Sequence, residues 1–179
     1  MAAKKIAIIV GTTRPLRVGS KVVDFVHKTF LESKVTLAPE LHIVDIASFN
    51  LPVFDEPAMP AWVPAKAQFN HAHSKAWSAE IAKYDAYVFV SAEYNFGIPG
   101  GLKNAIDYLY NEWIGKPVLI ITPELKFGGE DREDLYRAVG GVLGEKTLAL
   151  WEETRKEELV NAYEDLITLM EAPVEETRA

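Results

Sequence analysis

A polar loop near the start of the chain combines side chains that proteins use to bind a phosphate. It runs from Gly11 to Ser20, between the apolar run Ile6–Val10 and a helical pattern. A strand-to-helix turn of this kind offers backbone N–H groups and the positive end of a helix dipole to an anion. Further donors come from the hydroxyl and guanidinium groups of Thr12, Thr13, Arg14, Arg17 and Ser20.

This loop predicts a single bound phosphate group, and one alternative stays open. It contains neither the Walker A pattern nor G-x-G-x-x-G, so a lone phosphate is a simpler fit than a pyrophosphate or a triphosphate. The alternative is a solvated loop in which Arg14 and Arg17 pair with surface carboxylates.

A glycine-rich loop in the middle of the chain could hold a flat heterocycle. It reads Ala92-Glu-Tyr-Asn-Phe-Gly-Ile-Pro-Gly-Gly101. Its glycines let the backbone approach a ligand closely. Tyr94 and Phe96 could lie beside a planar ring, and Asn95 offers both donors and acceptors. A tight turn with core aromatics explains the same composition, so the residues alone leave both interpretations open.

Both loops fit the carboxyl ends of strands in one parallel sheet. The apolar runs typical of strands span residues 6–10, 41–46, 86–90 and 118–122, with a short fifth candidate at 147–151. Helical patterns alternate with them, which indicates an α/β protein with a parallel sheet between two helical layers. Because ligands bind outside the carboxyl ends of such strands, we expect function in loops 11–19, 91–101 and 122–130.

The remaining chain contains one irregular segment and several helices. Residues 50–65 carry four prolines together with Phe54, Met59 and Trp62, so this segment should be irregular and packed on something. We expect helices from about residue 65 to 83, through Leu135–Val142, and over the apolar positions from Leu159 to Met170. The whole chain, 1–179, is predicted to be one domain with a flexible tail at 172–179.

Composition excludes several classes of function. The 179 residues carry a formal net charge of −7, which disfavours a nucleic-acid-binding face. No cysteine is present, so disulfides, thiolate nucleophiles and Cys-based zinc sites are excluded, and a cytoplasmic location fits. No membrane segment is visible. His71 and His73 stand two apart on an expected helix and should not share a face, so no metal site is predicted.

The chain resembles the NADPH-dependent FMN reductase family, which includes quinone, chromate and azo-dye reductases. The likeness rests on Gly11-Thr-Thr-Arg14 and on Glu93-Tyr-Asn-Phe-Gly-Ile-Pro-Gly-Gly-Leu-Lys-Asn-Ala-Ile-Asp107. It extends to Leu51-Pro-Val-Phe-Asp-Glu56 and Trp113-Ile-Gly-Lys-Pro-Val118, and covers about residues 5–143.

The resemblance implies a fold, a cofactor and a reaction. The fold would be a flavodoxin-like three-layer sandwich with a five-stranded parallel sheet in the order 2-1-3-4-5. FMN would be bound non-covalently and would pass hydride from NADPH or NADH to a quinone or similar small acceptor. Because the flavin itself carries out this chemistry, no residue is expected to act as a catalytic acid or base.

The resemblance also assigns cofactor-binding residues. Those expected around the FMN phosphate are Thr12, Arg14, Arg17 and Val18. Those expected around the isoalloxazine ring, largely through backbone groups, are Glu93, Tyr94, Asn95, Phe96 and Gly97. Arg17 departs from the family, in which many members have Ser three residues beyond the arginine, but it still supplies donors.

The third loop also departs from the family. Relatives usually have a glycine-rich stretch there, whereas this chain reads Thr122-Pro-Glu-Leu-Lys-Phe-Gly-Gly-Glu130. Glu124 would bring a negative charge near the polar edge of the ring, which should disfavour a reduced, anionic flavin. The resemblance therefore leads us to expect looser FMN binding or a lower redox potential than in relatives with the glycine loop.

We expect the chain to form an oligomer, and two alternative functions stay open. The resemblance implies a homodimer or homotetramer, for which segment 50–64 and the helix after Leu102 are candidate contacts. One alternative function is a flavodoxin-fold FMN-binding or regulatory protein with little turnover, which the altered third loop favours. The other is a one-electron flavodoxin carrier, which the two arginines in the phosphate loop disfavour.

Overall fold

Four parallel strands form the centre of the protein in the computed structural model, which describes residues 3–36, 38–122 and 145–172. The strands are β1 (Lys5–Val10), β2 (Glu40–Asp45), β3 (Ala86–Val90) and β4 (Val118–Ile121). They lie in the order β2-β1-β3-β4, and every neighbouring pair is parallel. The register of β2, β1 and β3 can be stated from Ile6 of β1, which lies opposite Leu41 of β2 on one side and Ala86 of β3 on the other.

Helices follow the strands within these described ranges. They are α1 (Gly19–Glu32), α2 (Ala72–Ile81), α3 (Gly100–Asp107), α4 (Glu145–Thr154) and α5 (Lys156–Glu171), with short 3-10 helices at Ile46–Phe49 and Pro60–Trp62. None of these described helices is both long enough and apolar enough to cross a membrane.

The sheet is buried on both faces because successive side chains of a strand point in opposite directions. Ile6 and Ile8 of β1 belong to the core layer that packs against α1 and α5. Ala7 and Ile9 belong to the opposite layer, with side chains from α2 and α3. A continuous apolar run is therefore needed in β1, and the two layers confirm the predicted sandwich of helices, parallel sheet and helices.

The fifth strand expected at 147–151 is wrong, because this stretch belongs to helix α4. Leu148 and Trp151 are spaced three apart, so they share one face of a helix and pack against the α1 layer. The Trp151 and Phe25 ring centroids are 5.8 Å apart. The stretch is too short for its hydrophobic periodicity to distinguish a strand from a helix, and tertiary packing stabilises the helix.

The helix expected from residue 65 is also shorter than predicted, since α2 begins at Ala72. His71 precedes it in an extended conformation, with ψ of 146°. Three other expectations fall outside the described residues: the helix through Leu135–Val142, the loop position Glu124, and residues 173–179 of the predicted tail.

A buried carboxylate, Glu56, anchors the proline-rich segment. The side chain accepts hydrogen bonds from the backbone N–H groups of Asn70 (2.8 Å) and His71 (2.9 Å), and only 7% of the residue is exposed. Burial raises the pKa of Glu56, but the Ser74 hydroxyl and these N–H groups face the carboxylate and hold the pKa below its usual value. The charged form is therefore the one that stabilises this segment.

Asp55 ties the same segment to two helices. Its carboxylate accepts a hydrogen bond from the Tyr108 hydroxyl (2.8 Å) just beyond α3 and lies 3.0 Å from His73 Nε2 in α2. The His71 and His73 rings stack with centroids 5.2 Å apart. The expectation that these two histidines do not share a face is wrong, because His71 precedes the helix and does not follow its turn.

Asn104 of α3 fixes the start of the same segment. Its side-chain amide donates to the Pro52 carbonyl (2.7 Å) and accepts from the Phe54 N–H (3.0 Å). Segment 50–64 is therefore fastened to α2 and α3 by polar contacts, in addition to its apolar packing.

Replacing Glu56 with Gln should destabilise the protein most near neutral pH. The free energy of unfolding should fall by about 1–3 kcal/mol at pH 7, because a charged hydrogen-bond acceptor is lost from a buried site. Since the pKa of Glu56 is lowered on folding, its contribution is present above about pH 4.5 and disappears as the pH falls further. Urea unfolding from pH 7 to pH 3 measures this, with Glu153→Gln as the exposed control. A constant difference between the variant and the wild type across that range would contradict the assignment.

Candidate functional site

The two predicted loops meet at the carboxyl ends of β1 and β3. The Gly11 N–H donates to the Val90 carbonyl at 2.8 Å, which joins the start of one loop to the end of the neighbouring strand. A Cβ on Gly101, near the start of α3, would lie 3.0 Å from Thr13 Oγ1, so the first loop packs closely against that helix. Loops 11–19 and 91–101 therefore form one continuous surface at the sheet edge.

The first loop contains buried donors with no acceptor among the described residues. Thr12 is only 2% exposed, and its Oγ1 has no hydrogen-bond partner. It lies against Gly19, the first residue of α1, where a Cβ would overlap it. The Arg17 Nε is likewise buried without a partner. Buried polar groups normally find partners, so this loop has the donor set expected around an oxyanion at a helix N-terminus.

Arg17 is also fastened to the neighbouring strand. Its Nη2 forms an ion pair with Asp45 Oδ2 at the end of β2. The other Asp45 oxygen accepts the Ala47 N–H at 3.0 Å. The alternative of an arginine paired with a carboxylate therefore applies to Arg17, although its Nε remains available to a ligand.

Arg14 has a different partner. Its Nε donates to the Tyr94 hydroxyl at 2.9 Å, and its guanidinium carbon lies 4.5 Å from the Tyr94 ring centroid. Within the described part of the chain, Arg14 forms no ion pair with a carboxylate. No described carboxylate therefore compensates its positive charge, which lies where the two loops meet.

A tight two-residue turn shapes the second loop. Tyr94 and Gly97 exchange backbone hydrogen bonds of 2.8 and 3.1 Å. The residues between them, Asn95 and Phe96, have φ of 51° and 61°. Positive φ at both positions is the pattern of a type I′ turn, which Asn tolerates and a bulky aromatic residue does not favour. Phe96 is nevertheless 98% exposed, so no core packing explains its presence.

Of the other predicted site residues, two lie on the same surface and one lies outside the described residues. Glu93 is exposed beside Tyr94, and Val18 is the residue at which α1 is capped. Glu124 lies outside the described residues. The sequence reasoning missed Asp45, although an aspartate ending the strand beside the loop was a usable signal. In the described residues no group of three or more His, Asp or Glu side chains is placed to hold a metal ion.

A family model and two relatives that match this chain are all described as NADPH- or NAD(P)H-dependent FMN reductases. The family model for NADPH-dependent FMN reductase matches residues 4–148. The NAD(P)H-dependent FMN reductase ntnL of Nectria sp is 42% identical, with 96% of this chain and 99% of that protein covered. The NAD(P)H-dependent FMN reductase LOT6 of Saccharomyces cerevisiae is 32% identical, with 77% of this chain and 74% of that protein covered.

More distant proteins agree in name or in fold. A quinone reductase of Escherichia coli is 39% identical over a shorter stretch, 46% of this chain and 40% of that protein. The solved structure of FerB, a flavoenzyme NAD(P)H:(acceptor) oxidoreductase from Paracoccus denitrificans, superposes with a TM-score of 0.57 at 22% identity. That superposition covers 92% of this chain and 97% of FerB. It shows that the fold is flavodoxin-like.

Adding a methyl group at Gly11 should disrupt the junction of the two loops. The new Cβ of Gly11→Ala would lie 2.8 Å from the Val90 carbonyl oxygen and 2.9 Å from a Leu102 methyl carbon. We expect a loss of about 1–3 kcal/mol in the free energy of unfolding. Gly100→Ala is the control, because nothing lies within 4 Å of its Cβ. Equal urea midpoints for both variants would contradict the steric argument.

Relieving the turn at Phe96 should stabilise the protein. Phe96→Gly should raise the free energy of unfolding by about 0.5–1 kcal/mol, because glycine adopts positive φ without a Cβ penalty. Asn95→Gly should change it less, since asparagine already tolerates that conformation. Thermal unfolding of the flavin-free protein measures both variants. A lower melting temperature for Phe96→Gly would show that the aromatic ring contributes to the fold.

Proposed function

The chain belongs to the NADPH-dependent FMN reductase family, and we propose that it oxidises NADPH or NADH through FMN bound at the junction of the two loops. Quinones or similar small molecules are the proposed acceptors, in line with the quinone reductases among its relatives. The observation that carries the assignment of the site is the buried Thr12 hydroxyl beside the start of α1, which has no hydrogen-bond partner among the described residues. When bound, FMN supplies the hydride chemistry.

The phosphate end of FMN fits the first loop. Thr12 Oγ1 and Arg17 Nε are buried donors that an oxyanion would satisfy. Because Gly19 has no Cβ, the Thr12 hydroxyl packs directly against the N-terminus of α1, where the helix dipole favours negative charge. Arg14 adds a guanidinium whose charge no described carboxylate compensates, and Val18 contributes the backbone of the cap. These residues bind and orient the cofactor.

The ring end fits the second loop. In this proposal the backbone of the turn from Tyr94 to Gly97 lies against the isoalloxazine, with Glu93 beside it. The two hydrogen bonds between Tyr94 and Gly97 keep that backbone in place. Phe96, exposed at the tip of the turn, would lie on the substrate side. The chain's task is to position the ring, and no residue is assigned as a general acid or base.

We also propose that copies of the chain pair through an apolar surface. Its exposed side chains are those of Val53, Met59, Trp62, Tyr110 and Ile114. The two halves of this surface are joined, since the Asn111 side-chain amide donates to the Ala61 carbonyl at 3.2 Å. Exposed apolar area of this kind is typical of an interface. A homodimer or homotetramer would cover it.

Three further points belong to the same proposal. The cysteine-free composition fits a cytoplasmic location. A fifth strand beside β4 would complete the order 2-1-3-4-5 of the family's fold. The whole chain would form one FMN-binding domain.

The proposed function predicts FMN uptake and acceptor-dependent oxidation of NADPH or NADH. The purified protein should be yellow or become so with added FMN, and a quinone should then accelerate nicotinamide oxidation. Thr12→Val should weaken FMN binding about tenfold or more, because a buried donor to an oxyanion is lost, whereas Thr12→Ser keeps it. A protein that takes up no FMN would exclude the proposal. FMN binding without turnover would favour the alternative of a binding or regulatory protein.

The proposed interface predicts that one charge changes the assembly. Val53, 87% exposed, should tolerate Asp as a monomer but not within an apolar contact. Val53→Asp should reduce the molecular mass in sedimentation equilibrium, and Leu31→Asp, an exposed position on α1, should not. A wild-type protein that sediments as a monomer would contradict the interface.

A further inference from the structure

We propose that Tyr94 is a positioning residue, which holds Arg14 in place for the FMN phosphate without cancelling its charge. The inference rests on the proposed function and assigns different tasks to the two arginines of the loop. Arg17 is fastened to a carboxylate, and Arg14 is held by a neutral phenol. The sequence reasoning placed Tyr94 beside the ring and did not connect it with the phosphate.

The two arginines differ in the net charge that they bring to the loop. The ion pair with Asp45 compensates Arg17, so this pair adds no net charge to the loop. Arg14 has no such partner among the described residues, and the segment from Gly11 to Ser20 contains no acidic residue. The phosphate would therefore be attracted chiefly by Arg14, while Arg17 adds directional hydrogen bonding through its Nε.

A neutral side chain, Tyr94, holds the Arg14 cation through two contacts. The Tyr94 hydroxyl accepts from Arg14 Nε at 2.9 Å, and the ring faces the guanidinium at 4.5 Å. Both contacts fix the long side chain, yet neither introduces a negative charge that would repel a phosphate. The Nη groups make no hydrogen bond within the described residues and can form the fork that binds two phosphate oxygens. Restricting the side chain in advance reduces the entropy that ligand binding would otherwise cost.

The contact between Tyr94 and Arg14 couples the two loops. Tyr94 begins the turn that ends at Gly97, and its backbone is fixed by the hydrogen bonds of that turn. The position of Arg14 therefore depends on the loop proposed to face the ring. One side-chain contact, between residues 80 apart in sequence, connects the phosphate end of the site to the ring end.

The test compares FMN with riboflavin, which has the same ring and lacks the phosphate. Dissociation constants for both flavins are measured by fluorescence titration of the flavin-free protein. Tyr94→Phe keeps the ring and removes only the hydroxyl. Tyr84→Phe is the matched control, since it also removes one phenol hydrogen bond, 2.6 Å to Glu80, but at the opposite end of β3. Arg14→Ala and the double variant Arg14→Ala, Tyr94→Phe complete a cycle.

We expect Tyr94→Phe to weaken FMN about fivefold while riboflavin changes less than about twofold. Arg14→Ala should weaken FMN about tenfold or more, and adding Tyr94→Phe to it should have no further effect. Tyr84→Phe should change neither flavin. The melting temperature of flavin-free Tyr94→Phe should stay at the wild-type value, which distinguishes positioning from a role in folding.

Three outcomes would overturn the inference. Equal losses for FMN and riboflavin would mean that Tyr94 contacts the ring directly. Unchanged FMN binding in Tyr94→Phe, or a full additional loss in the Arg14→Ala background, would mean that Tyr94 does not act through Arg14. If the wild-type chain binds neither flavin, the proposed function itself fails and the inference fails with it. The other two outcomes leave the proposed function intact.

Discussion

The close approach of the β1 and β3 ends at Gly11 is the constraint on which the site depends. Because Gly11 has no side chain, its N–H reaches the Val90 carbonyl and Leu102 packs directly against it. Both loops then leave the sheet within a few ångströms of one another. A ligand with a charged end and a flat end can be held by such a pair of loops, since one opens onto a helix N-terminus and the other onto a tight turn.

In this acidic protein, the positive charge at the candidate anion site depends on the local partners of two arginines. The chain has a net charge of −7, yet in the part that the structure describes the candidate anion site has one guanidinium, that of Arg14, without a carboxylate partner. Asp45 lies close enough to form an ion pair with Arg17. Tyr94 contacts Arg14 at a position where an acidic residue would have compensated the Arg14 charge. The choice of partner, and not the number of arginines, decides how much positive charge faces the ligand. A count of charged residues along the sequence does not contain this information.

The sheet and the placement of the loops could be predicted from the sequence, because buried parallel strands give continuous apolar runs and ligands bind at their ends. The stretch 147–151 was misassigned because five residues are too few to distinguish a strand from a helical face. The ion pair of Arg17 with Asp45 was missed, because the partner of an arginine depends on how side chains extend from neighbouring strands; the position of Asp45 at the end of β2 was the one usable signal. The stacking of His71 on His73 depends on where α2 begins, and helix boundaries are poorly encoded in local sequence.

In the turn at Asn95 and Phe96, the backbone conformation and the exposed surface depend on different groups, whereas binding sites usually make one group serve both purposes. Its shape is maintained by backbone hydrogen bonds between Tyr94 and Gly97, whereas the Phe96 side chain extends away from the fold. Exchange at position 96 therefore changes the exposed surface of the turn, while the hydrogen bonds between Tyr94 and Gly97 hold its backbone. Since position 96 has positive φ, glycine and asparagine are favoured there and β-branched residues are not, so few side chains can be exchanged at that position without a cost to folding. The left-handed backbone of the turn thus limits which side chains the protein can present at this exposed position.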